Sequence, residues 1–216
     1  MAPLILRANE LIMKDREKLL QLVAKDNLSG KSQPWLQELA TRYKVIKSPD
    51  TELTSEQIKE LGNRVDIIPP SIAMAQTAEE SGWGTSRFAD LGNAMFGQWT
   101  WGDKGITPEE QRKGKGNYKI AAFETPLDSV MGYMLNLNTH NSYKLLRKKR
   151  AALRRENKAV TGLALTETLV NYSERGQEYV KSLNSLITYN KLSQIDEAHL
   201  NDKETILLIP TGEGAD

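Results

Sequence analysis

The 216-residue chain contains no cysteine, which excludes a disulfide framework, a thiol nucleophile, a zinc ribbon and an iron–sulfur cluster. Histidine is nearly absent too. His140 and His199 are the only two, so a His-rich metal site is not expected and no cofactor is called for. Apolar runs last only a few residues, far short of the roughly 18 to 20 needed to span a bilayer as a helix. Excess charge of one sign is also missing: 29 Lys and Arg face 28 Asp and Glu, for a net +1. That balance argues against binding nucleic acid through global charge. No repeat of solenoid period occurs.

What is present reads mostly as helix. Leu4, Ile5, Ala8, Leu11, Ile12, Leu19, Leu22 and Val23 recur at helical spacing between charged residues, which describes an amphipathic helix and not a secretory leader. After a polar break from Asn27 to Gln33, Pro34 opens a second helix with Trp35, Leu36, Leu39, Ala40 and Tyr43 on one side. Thr54 and Gln57 form a capping-box pattern for a third, carrying Ile58, Leu61 and Val65. Pro69-Pro70 starts a fourth, Ser71 to about Glu80, whose Ala73, Ala75 and Ala78 predict burial against close neighbours. A short helix from Ser86 to Leu91 closes at Gly92-Asn93, a left-handed cap.

From Gln98 to Phe123 the pattern changes. Trp99 and Trp101 precede a Gly-rich polar stretch, and Tyr118, Ile120 and Ala122 alternate, predicting a small β-hairpin lobe. Helices resume at Thr125-Pro126-Leu127-Asp128, near Ser142 to Arg155, around Leu163 to Val170, and from Gln177 to Asn190. Beyond Leu192 the chain is expected to fray, with Thr205 to Ile209 an edge strand or docked segment. Lys144 to Arg155 holds seven basic residues and no acid, which reads as a solvated helix face or, alternatively, as a dock for an anionic polymer.

The chemistry concentrates where the fourth helix ends. Glu80 would sit at the negative end of the helix dipole and, beside Trp83, in partly desolvated surroundings; both raise a carboxyl pKa. A carboxylic acid kept protonated near neutral pH is what protonation of a glycosidic oxygen requires. The plain alternative is that Glu79 and Glu80 finish an exposed helix end. His140 is expected to cap a helix junction, and Gly82, Gly84 and Gly97 to serve positive φ or close approach.

The run Ala75-Gln76, Glu80-Ser81-Gly82-Trp83-Gly84 and Gly92-Asn93-Ala94-Met95-Phe96-Gly97 resembles the glucosaminidase domain of bacterial peptidoglycan hydrolases, glycoside hydrolase family 73. Ala94-Met95-Phe96-Gly97-Gln98, Leu137-Asn138-Thr139-His140 and Asn171-Tyr172-Ser173-Glu174-Arg175-Gly176 are similar to its bacterial Bax subfamily, unrelated to the apoptosis regulator. The resemblance covers about residues 35 to 195. It implies a mainly α (α+β) fold, a lysozyme-like helical lobe with a small β lobe. Ahead of these stand the N-terminal amphipathic helices. The expected division is an N-terminal extension over residues 1–33, the catalytic domain over 34–195 and a tail over 196–216.

The resemblance further implies endo-β-N-acetylglucosaminidase activity on peptidoglycan glycan strands, with Glu80 as acid; Glu79 stands where the family usually has an apolar residue. A second carboxylate in the β lobe falls best on Glu110, then Glu109, with Asp103 behind them, at neighbours that depart from the family pattern. An inverting enzyme would hold that base roughly 6.5 to 9.5 Å from the acid, whereas attack by the sugar's own N-acetyl oxygen needs none. Tyr172 matches a family tyrosine close to the acid, and Tyr179 another with a structural or substrate-lining role. Gln76, Ser81, Trp83, Asn93, Phe96, Trp99 and Trp101 complete the implied substrate-binding set, although core packing explains Phe96 equally well. A lytic transglycosylase, a non-catalytic cell-wall-binding module and a general anion-binding protein are the competing readings. The protein is expected to be monomeric, metal-free and located in the periplasm or cell envelope, with an export signal on a longer native chain.

Overall fold

A computed structural model describes residues 1–25, 28, 30–82, 86–100, 102–103, 105–108 and 117–201. The helices are α1 (Ala2–Ala24), α2 (Gln33–Arg42), α3 (Ser55–Arg64), α4 (Pro70–Ser81), α5 (Arg87–Gly92), α6 (Pro126–Thr139), α7 (Lys144–Arg155), α8 (Gly162–Leu165) and α9 (Gln177–Tyr189). Among the described residues, three strands, β1 (Trp99–Thr100), β2 (Gly105–Ile106) and β3 (Lys119–Ala121), lie between α5 and α6. The fold is therefore mainly α with a small β element, as expected.

Local chemistry starts several helices where the sequence places them. Thr54 with Gln57, and Thr125 with Asp128, close reciprocal capping boxes at α3 and α6. Asn93 takes the left-handed cap of α5, at φ 51°. The run from Leu163 to Val170 splits into α8 and a 3-10 turn, Thr166–Leu169.

α4 is the axis of the molecule. Nine of its 12 residues are buried, among them Ser71, Ile72, Ala73, Ala75, Gln76 and Thr77. It packs on α9, α1 and the 3-10 turn Leu192–Glu197. Small side chains make that approach possible, and Ile5, Ala8, Leu39, Leu61, Met134, Leu137 and Leu183 share the surrounding core. The N-terminal helix is thus a wall of the same core. The boundary expected at 33/34 falls inside α2, and the one at 195/196 inside the last 3-10 turn.

Fraying beyond Leu192 is corrected by one carboxylate. Asp196 accepts the Ser71 N–H and hydroxyl through its two oxygens, each at 2.8 Å, and also the Gly162 N–H at 2.8 Å. It caps the first turn of α4 from the opposite end of the sequence, where Pro69 offers no side-chain cap. Thr205 to Ile209 lie outside the described residues.

The basic run is corrected as well. Arg150 is fully buried and donates to the Ile67 and Asn63 carbonyls at 2.6 and 2.8 Å and to Asn138 Oδ1 at 2.8 Å. Arg147 donates to the Leu137 and His140 carbonyls, Arg154 grips Asp66 with two bonds of 2.6 and 2.9 Å, and Lys149 pairs with Glu167. Lys144, Lys148 and Arg155 remain exposed. One stripe of α7 is an internal clasp, invisible to a count of charges.

The hairpin expected between Gln98 and Phe123 gains a third strand. β3 is central and antiparallel to both neighbours, Trp99 opposite Ile120 and Ile106 opposite Ile120. Ala94, Tyr118 and Ile120 form its own small core with Phe88 and Trp99 against it. Backbone bonds from Phe123 to Gly92 and from Ala121 to Gln98, 2.9 and 2.7 Å, moor the sheet beside α5.

Candidate active site

α4 ends at a left-handed Gly82, φ 56°, whose N–H closes on the Ala78 carbonyl. That stop leaves Glu80 in the last turn of the helix, facing a cleft of about 520 Å³ between the helical body and the sheet. Phe96, Gly97, Gln98 and Trp99 line the sheet side, Asn136, His140 and Tyr143 the end of α6 and the turn after it, and Tyr172, Ser173 and Glu174 the loop before α9. Glu80 is exposed to this space, not half-buried as the sequence suggested, and Trp83 lies outside the described residues.

The two adjacent glutamates part company. Glu79 forms an ion pair with Arg175, which also donates to Ser182 Oγ at 2.7 Å. Glu80 instead accepts the Tyr179 hydroxyl on Oε1 at 3.0 Å. Behind Tyr179, Gln76 Nε2 donates to its phenol oxygen at 2.9 Å, and Tyr133 donates to Gln76 Oε1 at 2.6 Å. On its other side Glu80 Oε2 borders Gly97, where a Cβ atom would stand 3.8 Å away at φ 56°. A glycine there lets the segment after α5 run close to the carboxylate.

Aromatic rings build the floor. Tyr172 stacks on Tyr179 at 5.5 Å and 6°, Tyr143 tilts against Tyr172 at 5.9 Å, and Phe96 stacks on Tyr133 at 3.8 Å. Burial, with the Glu80 carboxylate nearby, pushes the Tyr143 phenol up to about 12 and that of Tyr179 higher still. Tyr172 and Tyr133 are held well above the ordinary value, again chiefly by burial. All four phenols therefore stay protonated in any working pH range and can donate hydrogen bonds.

Several residues expected at the substrate take other positions. Gln76 and Ser81 are buried, the first in the chain of bonds just described and the second donating to the Thr77 carbonyl at 2.6 Å. Asn93 ties the sheet to the body through Phe123 and Glu124 carbonyls at 3.0 and 3.3 Å and does not line the cleft. Phe96 touches the cleft but is 2% exposed, so packing dominates. Trp99 lines the cleft and stacks on Tyr118 at 4.2 Å. Asp103 is exposed and does not line the cleft, while Trp101, Glu109 and Glu110 lie outside the described residues.

Sequence reasoning missed Glu174, Gln98 and a cleft role for His140. Glu174 is, among the described lining residues, the second carboxylate. Gln98 Oε1 is buried and, among the described residues, has no hydrogen-bond partner, which leaves an acceptor at the cleft wall. His140 does cap its turn, Nδ1 accepting the Ser142 N–H at 3.3 Å, and this leaves Nε2 as the donor of the neutral ring. The signals existed: Glu174 and Gln98 adjoin residues already singled out, but only the fold turns them inward.

A solvent-facing carboxyl backed by a wall of phenols is the equipment of a glycoside hydrolase, and comparison with known proteins gives this class. The chain belongs to the glucosaminidase family, whose model, described as mannosyl-glycoprotein endo-beta-N-acetylglucosaminidase, matches residues 55–192. It is 34% identical over 198 residues to Protein bax of Escherichia coli strain K12, spanning 92% of this chain and 69% of that one. A crystal structure of the catalytic domain of the autolysin Auto from Listeria monocytogenes aligns over 82% of this chain and 97% of its own, with 23% identity and a TM-score of 0.46.

Proposed function

We propose that the protein is an endo-β-N-acetylglucosaminidase that hydrolyses the GlcNAc-β-1,4-MurNAc bond of peptidoglycan, with Glu80 as general acid. Family membership supports the reaction class, and the motifs around Glu80 and Phe96 support the polymer. The observation that carries the acid assignment is the contrast between the glutamates: Glu79 pairs with Arg175 and does not line the cleft, while Glu80 lines it and accepts the Tyr179 hydroxyl.

In this reading the Glu80 proton passes to the glycosidic oxygen as the bond to the anomeric carbon breaks, and the leaving strand departs as an alcohol. Water then completes hydrolysis, activated by a second carboxylate or following attack by the substrate's acetamido oxygen. Glu174, which lines the cleft, joins Glu110 and Glu109 as a candidate for that carboxylate and stands ahead of Asp103, which does not. Tyr172, stacked at the floor of the cleft, is suited to orient the water or to face the positive charge of the sugar intermediate. Trp99 offers a ring face to a pyranose. Such an activity belongs outside the cytoplasmic membrane, in the periplasm or cell envelope.

Digestion of purified peptidoglycan, borohydride reduction and mass analysis of the fragments test the bond. Reducing GlcNAc ends are the expected product. Anhydro-MurNAc ends would instead assign a lytic transglycosylase, and sedimentation with the polymer without cleavage would assign a binding module.

A further inference from the structure

We propose that Tyr133, Gln76 and Tyr179 form a one-way hydrogen-bond relay that holds Glu80 Oε1 as an acceptor and thereby places the catalytic proton on Oε2, the oxygen beside Gly97. The inference rests on the reading of Glu80 as the acid and adds three positioning residues to it.

The direction follows from the orientation of the Gln76 amide. Tyr133 is fully buried, and its hydroxyl hydrogen is spent on Gln76 Oε1 at 2.6 Å. A carboxamide oxygen only accepts, so the same amide turns its nitrogen to Tyr179, donating at 2.9 Å. With its oxygen occupied as acceptor, Tyr179 has its own hydrogen for Glu80 Oε1, at 3.0 Å. A protonated Oε1 would set two hydrogens against each other on that line. The acid proton therefore resides on Oε2, beside Gly97 of the cleft wall. When the proton leaves for that oxygen and the C–O bond breaks, Glu80 becomes a carboxylate and the Tyr179 bond strengthens, because its acceptor is now charged. Help is greatest after proton transfer has begun, the condition for lowering a barrier.

Among the described residues, titratable groups face Glu80 from several elements. They are Tyr133 from α6, His140 and Tyr143 from the turn after it, Tyr172 and Glu174 from the loop before α9, and Tyr179 from α9. Glu79, next along α4, is neutralised by Arg175. The phenols do not ionise in the working range; the other polar groups on this wall are Glu174 and His140. Neither belongs to the relay, so its effect is separable from theirs.

The test follows the Glu80 carboxyl by carbon-13 NMR titration, its signal assigned by loss in Glu80→Gln, together with the pH profile of kcat/KM on peptidoglycan. Tyr179→Phe removes a hydrogen bond to the charged form, so the titration of Glu80 and the alkaline limb of activity both move up by about one pH unit or more. Tyr133→Phe frees the Gln76 amide to turn and draw the Tyr179 hydrogen away; it moves both in the same direction by a smaller amount, although three hydrogen bonds separate it from Glu80. Folded Tyr133→Phe and Tyr179→Phe proteins whose Glu80 titrates within about 0.2 unit of the native one would overturn the relay. Should either variant fail to fold, the Tyr179 hydroxyl proton in the native protein decides: a resonance that moves as Glu80 titrates supports the relay, and one indifferent to Glu80 overturns it. Native-level cleavage by Glu80→Gln would overturn the acid assignment instead, an outcome the NMR titrations do not depend on.

Discussion

At Gly162 a single hydrogen atom decides how closely α8 meets α4. A methyl group there would stand 2.0 Å from Ser71 Oγ and 3.1 Å from the Ile72 nitrogen. Ser71 cannot swing aside, because its hydroxyl and N–H are both held by Asp196, which also takes the Gly162 N–H. Gly162→Ala is expected to cost about 1–3 kcal/mol, read as a lower urea midpoint, as forced overpacking does. An unchanged midpoint would mean that this junction yields. Nothing around Gly162 in the sequence announces the contact, since the partners lie far away along the chain. Glu80, by contrast, was legible from its immediate neighbours: an apolar, small-residue helix ending in charge breaks a local rule. Its burial was misjudged, because a helix end does not say how wide the adjoining cleft is.

The helices divide by how they carry their information. α3 and α6 are written locally in Thr54 with Gln57 and Thr125 with Asp128, and the structure repeats the pattern bond for bond. α7 is not. Its arginines look like a solvated face until Asp66, buried in the α3–α4 connection, brings Arg154, Arg150 and Arg16 around one carboxylate at 2.6, 3.5 and 3.6 Å. Burial alone would raise the Asp66 carboxyl; the Arg154 hydrogen bonds and the charges of Arg150 and Arg16 outweigh it and hold the carboxyl below its usual range. A depressed folded pKa contributes stability that is present above the unfolded value, about 3.9, and lost as pH falls through the folded one. Asp66→Asn is therefore expected to lose about 3–5 kcal/mol near neutrality, by leaving buried guanidinium charge uncompensated. Urea unfolding at several pH values checks this: the gap between native and variant narrows toward pH 3, and a gap constant with pH would contradict it.

For the molecule as a whole, distant segments converge on the one helix that carries Glu80. α1 and the turn Leu192–Glu197 pack on α4, α9 delivers Tyr179 to Glu80, and α6 delivers Tyr133 to Gln76 behind it. The mainly α class with a small β element was legible from periodicity and capping. The third strand and the joining of the N-terminal helix to the core were not, since strands of two or three residues carry almost no pattern and an amphipathic face does not name its partner. The central claim is that all this scaffolding serves Glu80 as proton donor. Its most direct test is the rate at which peptidoglycan is cleaved by the native protein, Glu79→Gln and Glu80→Gln, each verified as folded. The account predicts a loss of about 10²- to 10⁴-fold for Glu80→Gln, the span of a general acid, and a far smaller change for Glu79→Gln. Near-native cleavage by Glu80→Gln, or a dead Glu79→Gln, would contradict it.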